Sequence, residues 1–579
     1  MGGWRFAILA GMTLWSLPLP AFADPLAFPL DAGMARELPV LAQHGMVAAQ
    51  ERRAATIGTD FMKAGGNAVD AAVATAFAMA VTLPQAGNIG GGGFMLVHLA
   101  KDNKNIAIDY RELSTLATVK DEFLDANGNF DPDKSQQSVL GTGVPGTVAG
   151  MVLALQKYGS GKFSLAQILA PAIGLARDGF IVDDGLADSL KRAAKRLARY
   201  PSSARIFLHP DGTPLHSGER LVQADLAHSL EAIAQQGPDG FYKGPVADKI
   251  VAAVTAGGGH MTGADLSGYR AIERVPVSGH YRGHEIVSMP PPSSGGVHII
   301  EILNLMEGFD LAKYGQNSAQ AIHLMAESMK LAYADRSKYL GDPDFVKVPV
   351  AGLTSKKYAD ELRASIAMDK ARPASEIAPG KPLPYESPQT THFSVVDADG
   401  NAVSNTYTLN FFYGVGEVAE GTGILLNNEL DDFAAKPGVA NAFGLIGGEA
   451  NAPGPRKRPL SSMSPTMMFD DKGNLELVTG SPGGSRIINI VVEIIADRVD
   501  FGLNIAESVD SPRFHDQWLP DVLLVERGMS PDTIARLEAM GHKVKVSPTF
   551  GSAQSIERLG HTLMGAADPR QRDTLAIGY

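Results

Sequence analysis

Thr390-Thr391-His392-Phe393-Ser394-Val395-Val396-Asp397, Ala398-Asp399-Gly400, then Asn401-Ala402-Val403-Ser404-Asn405-Thr406-Tyr407-Thr408 is the stretch on which the fold turns. Both arms are rich in β-branched and aromatic residues and the middle carries turn residues, so it reads as a β-hairpin. A three-residue loop wants a left-handed residue in last place, and Gly400 supplies it. With Asp397 opposite Asn401, the register carried outward sets Thr390 opposite Thr408. Directly opposed residues hold their Cβ atoms about 4.5–5.5 Å apart, so two hydroxyls meet at the open end. A bulge at Gly400 would shift that register by one.

Two facing threonines are, by themselves, an ordinary cross-strand pair. The preceding sequence opens a second reading. Ala371–Gln389 contains Arg372-Pro373, Pro379-Gly380-Lys381-Pro382-Leu383-Pro384 and Ser387-Pro388. It is too Pro-rich for a regular element and is expected to be an exposed connector. A strand beginning with Thr straight after such a connector is placed for the chain to cut itself between Gln389 and Thr390. The freed α-amine, with a reference pKa of about 7.7–8.0, is then a base for the hydroxyl of Thr390 itself.

Working outward, the chain has 579 residues, with 51 Lys+Arg against 63 Asp+Glu and a net charge of −12. That length makes more than one domain or one very large core. At 45% hydrophobic and 20% charged, the composition is that of an ordinary globular protein. Net acidity argues against a nucleic-acid partner, which calls for a concentrated basic face. The absence of cysteine excludes a disulfide framework, a thiolate zinc site, an iron–sulfur cluster and a thiol nucleophile.

Met1–Ala23 reads as a secretory signal: Arg5 is the charged start, Phe6–Leu19 the apolar stretch, and Ala21-Phe22-Ala23 an A-x-A cleavage site. Pro18, Pro20 and the short apolar run disfavour a membrane anchor, and no later segment approaches the roughly 18 apolar residues of a span. The expectation is a periplasmic or secreted protein without a membrane span, its mature chain starting at Asp24.

Met46–Pro84 has a helical pattern, with Ala71–Val81 apolar enough to be a buried helix. Gly90-Gly91-Gly92-Gly93 ahead of strand-like Met95-Leu96-Val97-His98 implies close backbone approach or a positive-φ turn. A phosphate cradle is the weaker option, because no Gly-Lys-Ser/Thr completes it here or at Gly159-Ser160-Gly161-Lys162-Phe163. Ile106–Tyr110 is a strand ending at Arg111-Glu112, residues 145–255 alternate helices with turns, and His284–Met289 is a strand. His323 and Glu327 lie one turn apart on a helix over Ala321–Tyr333. A metal site needs a further ligand at matched spacing, and the sequence shows none, so no metal or cofactor is expected.

The hairpin, Asn88–Gly93, Asp109-Tyr110-Arg111-Glu112, Leu425–Phe433, Arg458-Pro459-Leu460-Ser461-Ser462-Met463-Ser464-Pro465 and Gly480-Ser481-Pro482-Gly483-Gly484-Ser485-Arg486 together resemble the γ-glutamyltranspeptidases, from about Met46 to Tyr579. The resemblance implies an α+β, four-layer αββα N-terminal nucleophile hydrolase fold. It implies a precursor that cuts itself into a large subunit, 24–389, and a small subunit, 390–579, which share one core as a heterodimer.

The implied activity removes the γ-glutamyl group of glutathione and other γ-glutamyl amides through an acyl-enzyme on Thr390. Water or an amino acid or peptide acceptor then takes the group. Thr408 matches the threonine that orients the nucleophile. Gly483 and Gly484 match the backbone oxyanion donors. Arg111, Ser461 and Ser462 match the binders of the substrate α-carboxylate, and Asn410, Glu429 and Asp432 those of its α-ammonium. Pro437–Gly448 matches a lid, with Phe443 where several relatives carry Tyr; a lost hydroxyl bears on lid closure and on the ratio of transfer to hydrolysis.

Two rivals remain. A glutaryl or β-lactam side-chain acylase of the same family has no use for an ammonium pocket, which Glu429 and Asp432 favour. A periplasmic amino-acid-binding protein would use Arg111 and the two serines without turnover. Amino-terminal sequencing of the exported protein is expected to begin at Asp24; a start at Met1 would retire the export reading.

Overall fold

Thr391–Val396 and Ala402–Thr408 form an antiparallel pair in the expected register, with Thr391 opposite Tyr407 and Val396 opposite Ala402. The turn closes as the Asp397 N–H donates to the Asn401 carbonyl at 3.0 Å and the Gly400 N–H to the Asp397 carbonyl at 3.1 Å. Gly400 has φ 87°, the left-handed conformation that a three-residue loop requires. The computed structural model describes residues 37–382 and 391–579. The Met1–Ala23 leader, Gln389 and Thr390 lie outside the described residues.

The hairpin sits inside a seven-stranded antiparallel sheet. From edge to edge this sheet runs Leu575–Gly578, Met46–Ala49, Thr391–Val396, Ala402–Thr408, Gly92–Leu99, Lys104–Tyr110 and Ile272–Arg274. A second seven-stranded sheet runs Val40–Ala42, Thr562–Ala567, Gln554–Leu559, Leu475–Thr479, Thr466–Phe469, His284–Ser288 and Val277–Tyr281. Both sheets therefore contain strands from before and from after residue 390.

Successive strand residues point to opposite faces, and the core divides on that period. Met46, Ala48, Phe94 and Leu96 meet Met467, Val478 and Ile556 between the sheets. Val47, Ala49, Met95 and Val97 face a helical layer on one outer side, while Ile286, Met468 and Leu477 face another on the opposite side. The result is the expected helix–sheet–sheet–helix order, an α+β fold.

Ala68–Thr82 is the innermost helix of the first layer, and all of its residues are buried. Its capping box is closed: the Asn67 side chain accepts from the Val69 and Asp70 N–H groups, and Asp70 accepts from the Asn67 N–H at 2.9 Å. The run of alanines lets Arg52–Lys63 and Leu165–Asp178 both pack closely against it. One expectation is corrected here. Met46–Ala49 is a strand, not the start of a helix, because its backbone is paired on both sides, to Thr391–Val396 and to Leu575–Gly578.

The connector is corrected in part: Pro373, Ser375, Glu376, Ala378 and Lys381 are exposed as expected, but others are not. Ala371, Ala374 and Ile377 are buried rather than exposed, and Ala374–Glu376 forms a 3₁₀ turn. The Ala371 N–H donates to the Met540 carbonyl at 2.7 Å and the Gly380 N–H to the Asp335 carboxylate at 2.6 Å. Backbone groups without a ladder find loop and side-chain partners instead.

The glycine run serves close approach. A Cβ on Gly91 would lie 1.9 Å from the Thr408 carbonyl oxygen, and one on Gly93 would lie 2.4 Å from that of Thr406. No described helix is long and apolar enough to cross a membrane.

Gly91→Ala is expected to cost about 1–3 kcal/mol, because its methyl displaces the end of the hairpin. Gly174→Ala, on the helix Leu165–Asp178 with nothing within 4 Å of its added methyl, is expected to be neutral or to stabilise by up to about 1 kcal/mol. Thermal unfolding of the two variants checks the contrast, and equal melting temperatures would refute the tight approach at Gly91.

Candidate active site

Thr408 ends the hairpin and is nearly buried. Its carbonyl accepts from Asn88 Nδ2 at 2.9 Å, and Asn88 Oδ1 accepts from the Gly91 N–H at 2.8 Å, so the glycine run fixes its position. Thr408 Oγ1 accepts from the Asn410 N–H at 2.7 Å. Asn410 has φ 72°, a left-handed conformation that Asn tolerates better than most residues. That turn lets Asn410 Nδ2 donate to the Asn428 carbonyl at 2.9 Å, next to the 3₁₀ turn Glu429–Asp432.

Arg111 is delivered by the strand Lys104–Tyr110, and its carbonyl accepts from Tyr269 Oη at 2.7 Å. The guanidinium is fully buried and bonds Glu429, Asp432 Oδ2 at 2.7 Å, Glu112 Oε2 at 3.5 Å and the Pro459 carbonyl at 3.2 Å. Residues assigned from sequence to opposite poles of a substrate are thus in direct contact. Opposite charges buried together compensate each other's lost hydration. Ser461 and Ser462 are fully buried two and three residues beyond Pro459, and Ser461 forms a parallel bridge with Ser293.

One guanidinium does not neutralise three carboxylates. Burial, opposed by Arg111 and reinforced by Glu112, pushes Glu429 up to about 8. Burial likewise pushes Glu112 up to about 7 and Asp432 well above the usual carboxylate range, in both cases against the pull of Arg111. Burial draws the Arg111 guanidinium down, but Glu429, Glu112 and Asp432 more than offset it. Among the described residues, Glu429 Oε2, Glu112 Oε1, Asn410 Oδ1 and Ser462 Oγ are buried without a hydrogen-bond partner.

Gly483 and Gly484 have φ 143° and 65°, so the backbone itself demands glycine at both. A Cβ on Gly483 would meet Ile490 at 3.5 Å, an ordinary contact, so conformation rather than crowding is the constraint. Among the described residues, neither the Gly483 nor the Gly484 N–H has a hydrogen-bond partner.

The segment Pro437–Gly448, matched to a lid by the resemblance, is tied to both parts of the site. Asn441 Oδ1 accepts from the N–H groups of Phe443 at 3.0 Å and Leu445 at 3.1 Å, while Asn441 Nδ2 donates to Asp432 Oδ1 at 3.4 Å. The Phe443 carbonyl accepts from Gln517 Nε2 at 3.2 Å, and Gln517 Oε1 accepts from Ser485 Oγ at 2.6 Å, one residue past Gly484. The Phe443 ring meets Phe411 edge to face with centroids 5.9 Å apart.

Thr408, Asn410, Phe443, Gly483 and Gly484 line one cavity of about 910 Å³. Arg111, Glu429 and Asp432 form a separate buried ion cluster that Asn410 joins to the cavity through Asn428. Sequence reasoning missed Glu112, Asn441 and Gln517 as parts of the site. Glu112 had a signal, its place beside Arg111; the other two lie on loops with no pattern.

His323 and Glu327 do face one way on the helix Ala319–Tyr339, and the further group that spacing could not reveal is His542. His323 Nε2 donates to the Ala367 carbonyl at 2.8 Å, so its Nδ1 accepts from His542 Nε2 at 2.8 Å. Glu327 is paired with Lys330 at 2.7 Å. The third candidate ligand that the spacing did not show is therefore present in space, and the trio also bonds Ala367 and Lys330 outside itself.

Known proteins place the chain. The family model for γ-glutamyltranspeptidase matches residues 54–578. The glutathione hydrolase proenzyme of Escherichia coli (strain K12) is 55% identical over 563 residues, covering 96% of each chain. The glutathione hydrolase proenzyme of Pseudomonas sp. (strain A14) is 47% identical over 562 residues, covering 94% of this chain and 96% of its own. A cephalosporin acylase from Bacillus halodurans superposes with a TM-score of 0.84 at 30% identity, covering 96% of this chain and 99% of its own. With a match that spans nearly its whole length, the chain belongs to the γ-glutamyltranspeptidase family of enzymes.

Proposed function

We propose that the chain is an exported, self-processing γ-glutamyl transferase and hydrolase acting on glutathione and other γ-glutamyl amides. The leader ends at Ala23, and cleavage between Gln389 and Thr390 yields segments 24–389 and 390–579, which stay together as a heterodimer. Thr390 Oγ attacks the γ-carbonyl carbon and its proton passes to the freed α-amine of Thr390. Thr408 is the residue whose hydroxyl orients Thr390, a reading that the pairing of Thr391 with Tyr407 supports. The Gly483 and Gly484 N–H groups hold the oxyanion; losing one such donor costs about 2.7–4 kcal/mol of transition-state stabilisation. The C–N bond breaks as the amine takes the proton, leaving an ester. Water then releases glutamate, or an acceptor amine takes the glutamyl group.

The orphaned polar atoms around Arg111 carry this reading. A γ-glutamyl head is a zwitterion. Its carboxylate suits Arg111 with Ser461 and the unpartnered Ser462 Oγ, and its ammonium suits Asp432, Glu429 Oε2 and Asn410 Oδ1. Binding exchanges an internal ion pair for two pairs with the ligand, so no buried charge is stranded. A glutaryl head has no ammonium, and drawing Arg111 onto it would leave the Glu429 and Asp432 carboxyls buried with no cation to pair with, able to stay there only protonated. That disfavours the acylase.

The purified enzyme is expected to run as two bands on a denaturing gel and to hydrolyse γ-glutamyl anilide faster than glutaryl anilide. Thr390→Ala is expected to remain one band and to be inactive. Two bands from that variant would remove Thr390 from the mechanism, and one inactive band from the wild type would favour a solute-binding role.

The raised Glu429 pKa sets a pH dependence. Below about 8 its carboxyl is protonated and neutral, and it holds an ammonium weakly; above about 8 it is ionised. KM for a γ-glutamyl donor should therefore fall as pH rises through that value, and Glu429→Gln should flatten the trend. Steady-state kinetics from about pH 6 to about pH 9 check this. An undiminished slope in the variant would assign the titration to another group.

A further inference from the structure

The cavity beside Gly483 and Gly484 has a wall that the Arg111 cluster does not explain. Phe411, Phe443 and Pro482 give that wall an apolar body. Among the described residues its charged groups are Arg192, Arg196, Arg486 and Lys545, and no Asp or Glu lines it. In a chain of net charge −12, four cations without a carboxylate are a local reversal of sign.

Arg196 is already engaged. It donates to the carbonyls of Phe412 at 3.3 Å and Gly414 at 3.0 Å, and its guanidinium lies 5.4 Å from the Phe411 ring centroid. Arg486 differs. It ends the 3₁₀ turn Gly484–Arg486, directly beyond the glycine pair, and is half-buried. Its guanidinium lies 5.0 Å from the Phe550 ring centroid and, among the described residues, makes no side-chain hydrogen bond or ion pair. Glu526, the carboxylate that acts on it at a distance, is held by Arg570 at 2.7 Å and by the N–H groups of Arg513 and Phe550. A partly desolvated guanidinium fork on a cavity wall, with no anion of its own, is suited to a carboxylate.

We propose that this wall is the subsite for the departing and arriving amine, and that Arg486 reads a free carboxylate on an amine with an apolar body. The ligand class is an amino acid or peptide with an aromatic or aliphatic side chain. The inference rests on the γ-glutamyl reading above and adds the chemistry selected on the amine side. Leaving group and acceptor share the subsite, because deacylation by an amine is acylation in reverse. The Phe411–Phe443 edge-to-face pair forms its roof, so an acceptor side chain meets ring carbons where a Tyr lid would offer a hydroxyl.

The test uses the processed enzyme, one γ-glutamyl donor, and L-phenylalanine or L-phenylalaninamide as acceptor, with product formation measured by chromatography. Arg486→Gln is expected to lower kcat/KM for phenylalanine about tenfold, the scale of one charge-assisted hydrogen bond, and that for the amide by less than about twofold. Arg486→Lys is expected to recover part of the difference. Comparing each acceptor across variants cancels the different basicity of the two amines. Equal losses for acid and amide would show a structural role and overturn the proposal, as would no loss for either. A wild-type enzyme without γ-glutamyl turnover would sink the underlying reading as well; turnover with equal losses sinks this inference alone.

Discussion

The ladder on either side of Thr391–Val396 is the constraint on which the rest depends. One edge pairs with Ala402–Thr408, its own hairpin partner, and the other with Met46–Ala49, from the opposite end of the chain. Because side chains alternate with a period of two, a slip of one residue would swap the inner and outer cores along the strand. The register is therefore held by both cores at once. It also sets where the hairpin stops, and Thr408 at that end is what Asn88, Asn410 and the glycine run are arranged around.

From Thr408 a continuous chain of bonds reaches both halves of the site. It passes through Asn410 and Asn428 to Glu429, Arg111 and Asp432, then through Asn441 to the lid, and returns through Gln517 to Ser485 beside the glycine pair. The ion cluster is not there for stability alone. Burying three acids with one guanidinium raises carboxylate pKa values and leaves acceptor atoms unpartnered. Each is a cost that an apolar replacement would avoid. Such an arrangement makes sense where a ligand carrying both charges completes it.

Local chemistry was legible in the sequence and distant pairing was not. The hairpin, the Gly400 turn, the Ala68–Thr82 helix and the close approach of the glycine run all follow from residues near one another. Met46–Ala49 was misread because strand pairing from far along the chain overrode its helical pattern. The Arg111–Glu429 contact spans 318 residues and the His323–His542 contact 219, and no spacing rule reaches that far. The family resemblance picked out Arg111, Glu429 and Asp432, but not that they bond each other. Gly483 and Gly484 were expected as backbone oxyanion donors by resemblance; their φ values give the reason for glycine, which the sequence did not show.

A chain without cysteine, once cut as proposed after residue 389, must keep its parts by non-covalent means. The two shared sheets meet that requirement, and buried polar links reinforce it. Tyr110 Oη donates to Asn405 Oδ1 at 2.6 Å, the Ala68 N–H to Asp397 Oδ2 at 2.9 Å, and Asn427 Nδ2 to the carbonyls of Gly90 and Gly143, both at 2.8 Å. The His323–His542 bond belongs to the same set. Burial, with Lys330 nearby, pushes the His542 pKa down to about 3, so that ring stays neutral across the ordinary pH range. Cation–anion contacts also join residues before and after the proposed cut outside the Arg111 cluster, among them Arg282–Asp500 at 2.5 Å, Arg205–Glu420 at 2.5 Å and Arg458–Asp109 at 3.3 Å, so exchange of ion pairs at the proposed substrate head leaves these, the neutral bonds and the apolar packing in place.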